Sequence, residues 1–288
     1  MDLNVYVAPG ELGRVSIPGT DLAIIFTNSF LTMILVMGVM LIGGVMIVRR
    51  ATLVPNHLQA CFEVIVEFLL NIVESAAGKS YARKIFPLIG GAFLFILFAN
   101  YSGLLPGMKT VYFEGFSGDR EGVLLFRAPT ADLNMTLAMA LVTFFAVQVA
   151  GVSSHGVGGR LKHMATGPWW LAWLLFLIEV VSELSRIVSL SFRLFGNIFA
   201  GEVLLGVMYT ITNAIKISVI GLVIPVIFIY VEVLFGAIQA LVFALLTMIY
   251  IVLAAAHDDD HGDAESHHGD SESEAQKGTT SPASASGD

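Results

Sequence analysis

Residues 22–48 run for 27 positions without a charged side chain, from Leu22 to Val48, before the chain meets Arg49-Arg50. An α-helix needs roughly 20 such residues to cross about 30 Å of hydrocarbon, so this run predicts a membrane-spanning helix. It is too long for a secretory leader, and residues 1–21 are polar, without the cationic start and cleavage site of one. Uncharged runs at 85–108 and 133–159 predict two further spans. The segments 164–212 and 217–256 are also long and apolar but are interrupted by ionisable residues. Five membrane helices are expected, making 22–256 one polytopic domain of an all-α membrane protein. Composition agrees: 13% of residues are charged, against about 25% in a soluble domain, which excludes an ordinary soluble enzyme. Cys61 is the single cysteine, so no internal disulfide framework is possible.

Segment 55–80 differs from the spans. Glu63, Glu67 and Glu74 fall within about 40° of one another on a helical wheel, with apolar residues over the rest. That pattern suits an amphipathic helix lying in the interface, or else a loop helix resting on the protein body. Basic residues at 49–84 and at 160–162 outweigh Lys109, Arg120 and Arg127 of the 106–131 loop, placing the 49–84 and 153–167 connections, the first and the third, in the cytoplasm. The N-terminus is then outside and the C-terminus inside. Residues 257–288 hold nine carboxylates against Lys277 alone, which accounts for the whole net charge of −8. This acidic tail lacks apolar periodicity and is expected to be disordered; its four histidines could at most hold a metal weakly. Two glycosylation-type triplets, at Asn100 and Asn134, fall inside expected membrane helices.

Charged side chains at the centre of a bilayer cost at least about 2.5–3.5 kcal/mol each and usually face a cavity or a partner. The fourth span nevertheless carries Glu179, Glu183, Arg186, Arg193, Asn197 and Glu202. All but Glu202 fit in an arc of about 80°, a polar stripe some 27 Å long. Glu202 points about 140° away from Glu179 and is expected to find its neighbour on the fifth span. There Glu232, Gln239 and Tyr250 share a face within about 20°. An antiparallel hairpin turning near Thr212–Lys216 sets Arg193 level with Gln239, and Glu202 within a turn of Glu232.

Carboxylates on both sides of a fixed cation suit proton movement. Asp and Glu take up and release protons when burial raises their affinity for them. Arg does not deprotonate in practice, so it passes no proton along and repels one hopping straight through. Glu183–Arg186 reads equally as a local i,i+3 ion pair. Arg193 has no acidic residue three or four positions away to neutralise it.

The string SRIVSLSFRLFGNIFAGE at 185–202 resembles the signature of subunit a of the rotary F-type ATP synthase. The resemblance extends to FILFANYSGLLPG at 95–107, PTADLNMTLAMAL at 129–141 and AIQALVFALLTMIYI at 237–251. It implies that the last two helices are strongly tilted and wrap against an oligomeric ring, the c-ring, whose subunits carry the essential carboxylate. It further implies a peripheral-stalk subunit b and the remaining synthase subunits as partners. On that resemblance Arg193 is the essential arginine, with Gln239 and Asn197 facing it. Glu202 and Glu232 belong to the half-channel from outside, Glu179 and Ser189 to the inner path; Glu183 is added from the stripe alone. Ile187 stands where several relatives have proline. The implied role is a non-catalytic, proton-translocating subunit of a bacterial plasma or inner membrane, without cofactor, metal or nucleic acid.

No P-loop, phosphate cradle or Cys/His metal spacing is legible. A stand-alone channel or secondary transporter is the alternative, but such folds usually show two related halves, and 22–152 does not repeat in 164–256. A purely structural anchor leaves the Glu–Arg–Gln stripe without a purpose.

Overall fold

A computed structural model describes residues 11–16, 23–52, 55–105, 111–113, 123–164, 169–215 and 218–255. The described residues are helical almost throughout: α1 (Asn28–Arg49), α2 (His57–Ala77), α3 (Lys79–Ser102), α4 (Leu133–Met164), α5 (Trp169–Ile215) and α6 (Ser218–Ala255). Two short antiparallel pairs accompany them, β1 (Glu11–Ser16) with β2 (Ala23–Thr27), and β3 (Tyr112–Phe113) with β4 (Val123–Leu124). The acidic tail lies outside the described residues.

The first apolar run is not helical from its start. Ala23–Thr27, rich in β-branched and aromatic residues, pairs with β1 from Glu11↔Thr27 to Ser16↔Ala23. Thr27 then caps α1, its Oγ1 accepting from the Phe30 amide, which fixes where the helix begins. The third helix is displaced in the other direction, occupying 79–102 instead of 85–108. It starts among Lys79, Arg83 and Lys84, whose basic side chains extend outward without disturbing backbone hydrogen bonds, and it ends at Ser102 with Gly103 as its cap.

α1 is built inside out. Its four buried residues are Asn28, Ser29, Thr32 and Val36, while Leu41, Ile42 and Val48 stand more than 60% exposed. Apolar side chains facing outward and polar ones inward suit a helix solvated by lipid. Among the described residues four helices (α1, α3, Leu133–Ser154 of α4 and Pro225–Ala255 of α6) are long and apolar enough to cross a bilayer. The molecule is an all-α, multi-pass membrane protein. At 1.5 Å per residue α5 and α6 are about 70 and 57 Å long, roughly twice the hydrocarbon thickness.

α5 and α6 run antiparallel: Gly201 abuts Glu232, and Arg186 lies over Tyr250. α3 packs on α6, and α4 packs on both α5 and α6. The core joins Ile89, Phe93 and Ile96 of α3 to Leu190 and Leu194 of α5 and Ala240, Phe243 and Ala244 of α6. Alanines on α6 allow the close approach that membrane helices rely on, since lipid gives no hydrophobic drive between them. α2 buries Leu69 and Val73 in the same core and leaves Glu63 and Glu67 exposed. Gly78, at φ +73°, makes the corner from α2 into α3.

Candidate functional site

The polar stripe of α5 straddles the edge of the packed bundle. Glu183 and Arg193 occupy its two margins, about 80° apart on the wheel, and their environments differ accordingly. Glu183 is buried, with its side chain 7% exposed; Arg193 is exposed, and Glu179, Arg186 and Asn197 lie between these extremes. Leu190 and Leu194 turn into the core from the same stretch, leaving Val188, Ser189, Phe192 and Arg193 facing out. Among the described residues Arg193 makes no ion pair or hydrogen bond. The structure therefore presents a cation on an outward helix face whose other exposed members, Ser182, Val188, Ser189 and Phe192, carry no charge.

Gln239 is buried on α6, next to the core residue Ala240. Its Nε2 donor group has no hydrogen-bond partner among the described residues. The register set by Gly201–Glu232 and Arg186–Tyr250 places Gln239 level with the Arg193–Asn197 turn.

One end of the bundle, where α1 and α4 begin and α3 stops, is threaded by the segment 124–132. Asn28 donates from Nδ2 to the Leu124 carbonyl at 3.1 Å, and Thr32 Oγ1 accepts from the Arg127 amide at 3.2 Å. Thr130 donates to Asn100 Oδ1 at 2.8 Å, while Asn100 Nδ2 donates to the Gly236 carbonyl of α6 at 3.0 Å. Pro129–Ala131 forms a 3-10 turn, and Asp132 opens α4 by accepting from the Asn134 amide at 3.0 Å. This network ties four helices to one buried loop.

Glu202 meets this loop. Its Oε2 lies 3.3 Å from Nε of Arg127, and the two side chains are 16% and 5% exposed. Glu232 is close in height to Glu202 and lies against the α5 backbone: a Cβ on Gly201 would lie 2.7 Å from Glu232 Oε1. A cavity of 180 Å³ opens beside this contact between α5 and α6, with Asn197, Leu204, Phe228 and Glu232 in its wall.

Towards the other end, Arg186 donates from Nη1 to Glu183 Oε1 at 3.0 Å and stacks 4.2 Å over the Tyr250 ring. The i,i+3 pair is thus real, and it is also tied to α6. Glu179 lies one turn beyond, half-buried. Hydroxyl pairs Thr136–Ser191 and Thr143–Thr247, each at 3.3 Å, join α4 to α5 and to α6. Ile187 packs in the core of an unbroken α5.

In the sequence alone Arg127 reads only as a loop charge. The available signal was its place immediately before Ala-Pro-Thr-Ala-Asp, a turn-and-cap string at the head of a membrane helix.

Residues 30–252 match the family described as ATP synthase A chain. A protein named ATP synthase subunit a from Syntrophobacter fumaroxidans is 34% identical over 183 residues, covering 64% of this chain and 66% of its own. Proteins of the same name from Helicobacter hepaticus and Helicobacter pylori are 36% and 37% identical over 160 residues, covering 56% of this chain and 63% of theirs. The matched stretch spans just under two thirds of the length of these relatives.

Proposed function

Because the chain belongs to the ATP synthase A chain family, we propose that it is the proton-translocating stator subunit of an F-type ATP synthase membrane sector. It provides two offset half-channels to a rotating ring of carboxylate-bearing subunits, the c-ring, and is held by a peripheral-stalk subunit b. The membrane is a bacterial plasma or inner membrane, with the N-terminus and the 124–132 loop outside and the acidic tail in the cytoplasm. Nucleotide chemistry takes place in other subunits.

The observation that carries this reading is the position of Arg193. A guanidinium on an outward, otherwise uncharged face is costly in lipid unless a counter-charge comes from outside the chain. A ring carboxylate supplies one. A stand-alone channel or transporter would instead turn such a charge into a path enclosed by its own helices.

A proton enters from outside past Glu202 and Glu232 and neutralises a ring carboxylate. The neutral acid then passes into lipid at far lower cost than the ion would. On its return it loses the proton to the inner path, marked by Ser189, Glu179 and Glu183, and the carboxylate is held near Arg193, with Asn197 and Gln239 alongside. Arg193 accepts no proton, so it separates the two paths. Each proton falling through 100 mV releases about 2.3 kcal/mol, and the offset of the paths turns that fall into rotation.

ATP-driven acidification of inverted membrane vesicles tests this, comparing the natural chain with Arg193→Ala at matched levels of assembled complex. Loss of pumping is expected. Undiminished pumping overturns the mechanism.

A further inference from the structure

Arg127 is the one Lys or Arg that is buried among the described residues. Its burial is not needed to hold the loop. The Arg127 backbone is fixed by Thr32, and its neighbours by the Asn28–Leu124 and Thr130–Asn100 hydrogen bonds. The guanidinium itself meets one acceptor, Glu202 Oε2 at 3.3 Å through Nε. Nη1 and Nη2 are buried and have no hydrogen-bond partner among the described residues. Four N–H donors of a buried cation are expensive to leave unmet, and in a polar pocket they call for ordered water.

We propose that Arg127 is a positioning residue of the outward half-channel, holding the Glu202 carboxylate through Nε and binding through Nη1 and Nη2 the water by which protons reach it. The proposal rests on the half-channel reading above. Glu202 points away from the α5 stripe and would be free to choose among rotamers; the ion pair fixes it towards the loop. The guanidinium donates five hydrogen bonds in a rigid fork and accepts none, so water bound to Nη1 and Nη2 turns its oxygen to Arg127 and its protons onward. A proton on that water is repelled by the cation and is passed to a carboxylate, never to the loop. Glu202 contributes the acceptor and Arg127 the geometry.

Assembled complex in inverted vesicles provides the test, with pH varied separately on the lumenal (outer) and external (inner) faces during ATP-driven pumping. Arg127→Gln is expected to slow pumping about tenfold. It is also expected to change the dependence on outer-face pH while leaving the dependence on inner-face pH as in the natural chain. A purely structural defect scales the rate equally at every pH on both faces, and that result overturns the proposal. In the Glu202→Gln background Arg127→Gln should slow pumping no further; multiplicative losses would mean that Arg127 does not act through Glu202. Arg127→Lys keeps the cation without the fork, and should pump within about threefold of the natural rate with an altered outer-face profile. Where Arg127→Gln fails to assemble, an unaltered profile in Arg127→Lys overturns the proposal. Arg193→Ala reports separately on the half-channel reading: if it pumps normally, that reading fails whatever Arg127 does.

Discussion

Arg186 is held from two sides at once, by Glu183 Oε1 at 3.0 Å on its own helix and by the Tyr250 ring at 4.2 Å on the next. A local ion pair on α5 thereby becomes a clamp between α5 and α6. Desolvated cation–π contacts contribute up to about 2 kcal/mol. Tyr250→Phe keeps the ring face and should leave thermal stability in detergent nearly unchanged. Tyr250→Leu should lower stability by about 1–2 kcal/mol. Equal losses in the two variants would show that the phenol hydroxyl, not the ring, is what matters.

Gly201 is where α5 makes room for Glu232. An alanine Cβ there would lie 2.7 Å from Oε1, 3.0 Å from Cδ and 3.3 Å from Cγ, so the whole end of the side chain has to move. Gly201→Ala should therefore slow ATP-driven vesicle acidification several-fold without preventing assembly. Combining it with Glu232→Asp, one methylene shorter, should restore part of the rate. If Gly201→Ala pumps as the natural chain does, the position of Glu232 against α5 is unimportant to transport.

The helices were legible because a bilayer demands long uncharged runs, and the stripe because charge is costly there. The strand Ala23–Thr27 was not, since an uncharged run satisfies a helix and a strand equally until a cap such as Thr27 divides it. Arg186–Glu183 could be anticipated from its spacing of three. Arg127–Glu202 could not: its partners are 75 residues apart, and helical periodicity says nothing about which loop folds back between helices. A wheel could say that Glu202 leaves the stripe, but not what meets it. The wheel put the stripe members on one arc, and packing alone decided that Glu183 is its buried margin and Arg193 the open one.

Gly78 joins α2 to α3 at φ +73° and ψ 150°, a conformation that only glycine adopts without strain. No neighbouring atom would obstruct a Cβ there, so any cost of Gly78→Ala is a backbone cost alone. About 1–3 kcal/mol of destabilisation is expected, seen as earlier thermal unfolding in detergent. Gly91 of α3 also has open space but helical backbone, so Gly91→Ala should be neutral or stabilising. Similar losses at both positions would exclude a special backbone at the corner.

Asn100 is the hinge of the buried polar network, donating to the Gly236 carbonyl at 3.0 Å and accepting from Thr130 at 2.8 Å. It joins α3, α6 and the 124–132 segment, and its 3% exposure leaves no room for water to replace it easily. Asn100→Ala orphans a hydroxyl and loosens the segment that carries Arg127, at an expected cost of about 1–3 kcal/mol. Asn100→Asp keeps the shape and the acceptor but removes the Nδ2 donor and sets a carboxylate against the Gly236 carbonyl. It should be worse than alanine, because an uncompensated buried charge costs more than a lost hydrogen bond. The order of thermal stabilities, natural above alanine above aspartate, checks this directly. An aspartate variant as stable as the natural chain would mean that the site is wet enough to solvate a carboxylate, and that the network is an open vestibule and not a sealed joint.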